Sequence, residues 1–345
     1  MKKMIVALLI TSLLIAGCGG APMEENNNNG GSSDQASDAQ PTPSADAITL
    51  SVNSAWAEGN SLLFNVQDFA DKVYEKTDGT VNVVWGGGPE AIPPFQLVEA
   101  LRNGVVDIAW TAHTYNVSNV PVLEAMKLVD AETMRETGGF DFINELYQER
   151  LNSHYIAAST NGLTYNLYTK DPIESLDDFS GLTIRSTPAY QAFVEALGAG
   201  VVNMDPGEAY QALERNVIQG YGWPSVGVTD FGWQEVSEYI IQPAFYNVDV
   251  AIIMSDNAWS QLDENQQRAI MEAGLEVEQE AMAHYEKAIA EEVDILTNEG
   301  MSQNILPDDV AERFLTLAYE EAWASVMKDD PDNAALLQEY TRYEP

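Results

Sequence analysis

The chain has 345 residues, with 54 acids against 16 bases and a formal charge of −38. That length suits two domains with cores of their own, and that charge repels nucleic acid and anionic lipid surfaces. Cys18 is the only cysteine, which excludes a disulfide within the chain.

Lys2 and Lys3 precede an apolar run, Met4 to Ile15, that ends Ile15-Ala16-Gly17-Cys18. The run is too short to span a bilayer and reads as a signal peptide over residues 1–17. Its end resembles a bacterial lipobox, which makes Cys18 the expected lipidation site. Removing residues 1–17 leaves 14 bases against 54 acids, a side-chain charge of about −40. Residues 18–46 hold almost no large apolar side chain and read as a flexible tether.

Folded structure is predicted from Ile48, where Ile48, Leu50 and Val52 alternate as in a strand. Asn60 or Ser61 can cap a helix whose apolar face is Leu62, Leu63, Val66, Phe69, Ala70 and Val73. Val81–Trp85 reads as a buried strand, followed by Gly86-Gly87-Gly88-Pro89-Glu90. The three glycines lack the Lys-Ser/Thr of a phosphate loop, so they predict close approach of backbone to a ligand or to another lobe. Val105–Thr111 reads as a strand ending at Trp110, with His113 and Tyr115 just past its carboxyl end. His113 can be a pocket wall or a plain loop residue. The three histidines are scattered, and none has a neighbour at metal-ligand spacing.

Ile156–Ala158 and Tyr165–Tyr168 read as strands near a domain crossing. Between Asp177 and Pro224, strand–helix–strand alternation predicts a parallel sheet. Ligands gather beyond the carboxyl ends of such strands. Arg185 stands at such an end, the only basic residue between Lys170 and Arg215, and its guanidinium fork suits a carboxylate. Tyr221, Trp223, Phe245 and Tyr246 make an aromatic group that fits either a core or a ligand wall. From Asp263 to Gly300, Ile270, Ala273, Val277, Ala281, His284, Ala288 and Val293 recur at helical spacing. A helix of about 35 residues would run ~52 Å. Asp329-Asp330-Pro331-Asp332-Asn333 lacks the calcium-loop spacing and reads as a solvated turn.

Gly181-Leu-Thr-Ile-Arg185, Leu197-Gly-Ala199, Glu208-Ala-Tyr-Gln-Ala-Leu-Glu214 and Gly222-Trp-Pro224 together resemble the solute-binding proteins of TRAP (tripartite ATP-independent periplasmic) transporters. So do Gly87-Gly-Pro-Glu90 and Asn103–Trp110. The resemblance runs from about Ile48 to the C-terminal region. It implies a two-lobed α/β periplasmic-binding-protein-like fold with a ligand cleft between lobes and one long helix spanning both. It implies residues 47–161 plus 249–288 as lobe I and 162–248 plus 289–345 as lobe II. It also implies a salt bridge from Arg185 to an organic acid, and a membrane permease as partner. Thr164 stands where many relatives have a second arginine, and Trp223 and Gln219 stand where many have Asn and Asp. With one cation and aromatic walls, a second carboxylate would lack a partner. The expected cargo is therefore a monocarboxylate with a hydrophobic or aromatic body. The expected pocket is Arg185, Trp223, Tyr221, Thr164, Tyr165, Glu90, His113, Tyr115, Trp56 and Trp110, with no cofactor. An enzyme acting on organic acids is the competing class, but the chain has no G-x-S-x-G, H-E-x-x-H or Cys–His pair. A binding protein for an ABC importer or a sensor would read alike.

Overall fold

A computed structural model describes residues 47–341. The signal peptide, Cys18 and the tether lie outside the described residues. Two sheets carry the fold. The first contains β1 (Ile48–Ser54), β2 (Val81–Gly87), β3 (Ile108–Ala112), β4 (Ser153–Ala158) and β10 (Val250–Ser255), in the order β2-β1-β3-β10-β4. The second contains β5 (Tyr165–Thr169), β6 (Thr183–Ser186), β7 (Gly200–Asn203), β8 (Gly220–Pro224), β9 (Tyr239–Gln242) and β11 (Ser302–Ile305), in the order β11-β9-β5-β8-β6-β7. Each sheet centres one lobe. In both, parallel neighbours meet antiparallel ones: β1 runs parallel to β2 and β3, and β6 runs parallel to β7 and β8. β10 is antiparallel to β3 and β4, and β5 to β8 and β9. All residues of β3, β5, β8 and β10 are buried, which explains their near-continuous apolar runs.

The parallel connections are helical, as the alternation predicts. α1 (Val66–Lys76) joins β1 to β2, and α2 (Leu97–Arg102) joins β2 to β3. α3 (Ala131–Thr137) and α4 (Gly139–Leu151) precede β4. α5 (Gln191–Ala196) and α6 (Pro206–Glu214) link β6, β7 and β8, and the short α7 (Asp256–Trp259) follows β10. The segment after β1 is not one helix. Asn60 caps a single 3-10 turn, Ser61–Leu63, and α1 starts afresh at Val66.

α8 (Glu264–Asn298) is the expected long helix of 35 residues, with Asp263 and Gln266 forming a capping box. Its buried stripe is Ile270, Ala273, Val277, Ala281, Tyr285, Glu292 and Leu296. The predicted stripe slips at His284, because Tyr285 is the residue turned inward while His284 stacks its ring on Phe64 at 3.5 Å. Two acids tie α8 to different lobes. Glu278 accepts from Arg135 Nε and Nη2 and from the Ala158 amide. Glu292 accepts from the Thr229 amide and hydroxyl.

α9 (Asp308–Asp329) and α10 (Pro331–Thr341) complete the described chain. α10, expected with the second lobe, packs on α3 and α4, and Tyr340 sets its ring 5.5 Å from that of Phe142. The acidic turn before α10 is closed by Asn333 Nδ2 donating to Asp330 at 3.0 Å. Among the described residues, no helix is long and apolar enough to cross a membrane.

Candidate functional site

The carboxyl ends of the parallel strands converge. Trp56 follows β1 and Tyr115 follows β3, with ring centroids 6.1 Å apart. Facing them across the cleft stand Arg185 of β6, Thr187, Tyr190 before α5, Tyr165 at the head of β5, and Trp223 and Pro224 at the end of β8. With Leu62 they enclose one small cavity.

Arg185 is fully buried. Nε and Nη2 both donate to the Met204 carbonyl, at 3.2 and 3.1 Å. Nη1 donates to the Tyr190 hydroxyl at 2.9 Å and to the Gly222 carbonyl at 3.2 Å. These bonds occupy four of the five guanidinium N–H groups. All the acceptors are neutral, and no carboxylate pairs with Arg185 among the described residues. The other fully buried cation behaves differently: Lys127 Nζ pairs with Glu124 at 3.0 Å. A buried charge without a counter-charge is expensive, and Arg185 is the one left in that condition. The Trp223 ring lies 5.4 Å from its Cζ, which returns part of that cost.

The glycine of Gly222-Trp-Pro224 explains how Tyr190 reaches this position. A Cβ at Gly222 would stand 2.3 Å from the Tyr190 ring. Only glycine lets the ring lie over the strand and donate its hydroxyl to the Gly222 carbonyl at 2.6 Å.

At the rim, Asp230, just beyond β8, reaches across to the turn after β1. It accepts from Asn60 Nδ2 at 3.0 Å, the Ser61 amide at 2.9 Å and the Ser61 hydroxyl at 3.1 Å. These bonds hold the two lobes together over the cavity.

Of the residues expected at the site, Trp56, Tyr115, Tyr165, Arg185 and Trp223 line this cavity. The other five lie elsewhere. Trp110 sits inside β3, not at its end, and packs edge-on against Phe69 in the core. Tyr221 shares a strand face with Trp223 but lies two residues deeper. There it stacks on Tyr168 at 4.9 Å and bonds Ser237 at 3.0 Å. Thr164 bonds the Ser225 hydroxyl at 3.1 Å beside the lobe crossing. Glu90 is exposed and curls back to accept from the Gly88 amide at 2.7 Å, a bond that lowers its pKa. The glycine run makes its close approach within its own lobe: a Cβ at Gly88 would come 2.8 Å from the Trp56 carbonyl.

His113 bonds the Tyr147 hydroxyl through Nδ1 at 2.8 Å and is buried, which drives its pKa down to about 3 and keeps it neutral. It faces a second, larger cavity near the lobe crossing, shared with Tyr155, Thr160, Asp249 and Glu278. That cavity holds buried acids and a neutral imidazole and is not lined by Arg185, so it offers an anion no comparable anchor.

Sequence reasoning missed Tyr190, Thr187 and Asp249. Asp249 is 5% exposed, and burial pushes its pKa up to about 6. It accepts from the Thr114 amide at 2.9 Å and from the Tyr165 hydroxyl at 3.5 Å. A lone acid heading an apolar strand, Val250–Met254, was the available signal. Tyr190 had none beyond its place five residues after Arg185. Among the described residues, no group of three or more His, Cys, Asp or Glu is gathered to hold a metal ion.

Comparison with known proteins agrees with this architecture. Residues 52–329 match the family model of bacterial extracellular solute-binding protein, family 7. A solute-binding protein of Chromohalobacter salexigens is 26% identical over 267 residues, covering 71% of this chain and 76% of that protein. A monocarboxylate 2-oxoacid-binding periplasmic protein of Nostoc is 23% identical over 248 residues, covering 68% and 67%. The structure of a Bordetella pertussis extracytoplasmic solute receptor binding pyroglutamic acid superposes with a TM-score of 0.77 at 17% identity, covering 86% of this chain and 100% of that one. With the family model spanning most of the chain and both lobes matching in fold, the protein belongs to bacterial extracellular solute-binding protein family 7, the receptors of TRAP transporters.

Proposed function

We propose that the protein captures a small organic monocarboxylate with a hydrophobic or aromatic body between its lobes and hands it to a TRAP permease. One observation carries the reading: Arg185 is fully buried with only neutral acceptors around it. A carboxylate in the cavity would supply the missing counter-charge. Trp56, Tyr115, Tyr165, Tyr190 and Trp223 offer apolar faces to the rest of the molecule. A second carboxylate would find no second cation lining this cavity. The lobe limits 47–161 with 249–288 and 162–248 with 289–345 form part of the proposal, supported by the sheet to which each strand belongs, except for α10, which packs on α3 and α4 of the first lobe. So does attachment of the mature chain to the membrane through lipid on Cys18, supported by the lipobox-like run before it.

Calorimetry tests the anchor. Arg185→Ala should weaken the preferred acid by at least about 30-fold, since truncating one side of a buried charged pair costs about 2–5 kcal/mol. Lys should rescue only in part, having no fork. Near wild-type affinity in Arg185→Ala would end the assignment. A thermal-shift screen tests the cargo. Succinate or malate stabilising the protein while aromatic and branched monoacids do nothing would refute the monocarboxylate reading.

A further inference from the structure

We infer that Tyr165, with its hydroxyl oriented by Asp249, makes the receptor select acids that carry a hydroxyl or N–H beside the carboxylate over the matching oxo acids. The inference rests on Arg185 as the anchor of the acid group.

The argument concerns the direction of one hydrogen bond. Tyr165 lines the Arg185 cavity, and its ring centroid is 5.4 Å from that of Tyr190, whose hydroxyl touches Arg185. In this reading the carbon next to a carboxylate held at Arg185 lies on the Tyr165 side, since both residues line the same cavity. The Tyr165 hydroxyl is 3.5 Å from Asp249 Oδ1. Above a pKa of about 6, Asp249 is ionised and can only accept. The Tyr165 hydrogen is thereby turned away from the cavity, and an oxygen lone pair is left for the ligand. The other oxygen of Asp249, Oδ2, is held by the Thr114 amide at 2.9 Å, so the carboxylate cannot rotate away. The neighbouring tyrosine is committed too: Tyr190 donates to the Gly222 carbonyl and accepts from Arg185. Tyr165 is thus an acceptor of fixed direction beside the anchor. A hydroxyl or N–H satisfies it, and an oxo group sets two lone pairs against each other.

Asp249 is a positioning residue, and its replacement makes an unusual forecast. In Asp249→Asn the Thr114 amide must keep the side-chain oxygen, so the new NH2 faces Tyr165. The Tyr165 oxygen then accepts from the protein, and its hydrogen swings into the cavity. Selectivity should invert towards oxo acids.

The experiment uses two matched sets: 2-hydroxy- and 2-oxo-3-phenylpropanoate, and 2-hydroxy- and 2-oxo-4-methylpentanoate. Calorimetry at pH 7.5 is run on the mature chain as wild type, Tyr165→Phe and Asp249→Asn. Wild type should favour each hydroxy acid by about tenfold, the worth of one hydrogen bond with a charged group behind it. Tyr165→Phe should bring the ratio near one, mainly by weakening the hydroxy acid. Asp249→Asn should carry it below one. Equal ratios in all three proteins would overturn the inference and leave the Arg185 anchor standing. A wild-type preference for the oxo acids would overturn it too. Failure of every probe to bind would remove the anchoring reading and this one with it.

Discussion

Gly222→Ala isolates how the cation is held without touching the cation. The added Cβ would meet the Tyr190 ring at 2.3, 2.5 and 2.9 Å. Ordinary contact begins near 3.4 Å, so the ring must move by roughly 1 Å, as overpacking elsewhere requires at about 1–3 kcal/mol. Backing away breaks the 2.6 Å bond to the Gly222 carbonyl and the 2.9 Å bond from Arg185 Nη1. Each neutral bond is worth about 1 kcal/mol and the charged one more. The variant should lose about 2–4 kcal/mol of stability by urea titration, with an unchanged m-value. Its affinity for the preferred acid should fall by about tenfold or more, because the guanidinium loses one of its fixed partners. Circular dichroism would check that the sheet survives. A stable variant with wild-type affinity would show that Tyr190 does not orient Arg185.

Two further outcomes can be measured directly. Asp230→Ala removes three rim bonds between the lobes. Two of the three are exposed, so together they should shift the open–closed balance by only about 1 kcal/mol, seen as a larger unliganded population of open molecules by inter-lobe FRET and a faster ligand off-rate. The pH dependence of stability has two opposed parts. His113, with its folded pKa down at about 3, contributes stability above pH 6.5 that is lost towards pH 3, at up to about 1.4 kcal/mol per unit. Asp249, with its folded pKa raised to about 6, gains stability as pH falls from there towards 3.8. Subtracting the acid-unfolding curve of His113→Asn from that of wild type should isolate the first, and a flat difference between pH 6.5 and 4 would refute it.

Most of the fold was legible because its signals are local. The helical spacing after Asp263, the alternation in β1 and the strand–helix rhythm around Arg185 each lie within one stretch of chain. The site was only half legible, because a pocket is set by depth as well as by strand ends. Tyr221 and Trp223 share a face, yet two residues of depth put one in the core and the other on the cavity. Trp110 and Tyr115 divide in the same way around the end of β3. His284 was misread because stacking on Phe64 gave an exposed ring a contact that periodicity assigned to the core. Asp249 escaped because its one signal, a place at the head of the apolar run Val250–Met254, is faint in a chain with 54 acids.

The Arg185 guanidinium hangs from the margin of its sheet. β7 is the outermost strand beside β6, none of its residues is fully buried, and the Met204 carbonyl that grips Arg185 twice lies one residue past its end. Margins are where a chain can be redrawn cheaply, since few packed neighbours must adjust. Changing the path of residues 203–206 would re-aim the cation while β5, β8 and β9 stayed as they are. One scaffold can in this way be refitted to acids of different shape by editing a few exposed positions, and the core that keeps it folded need not take part.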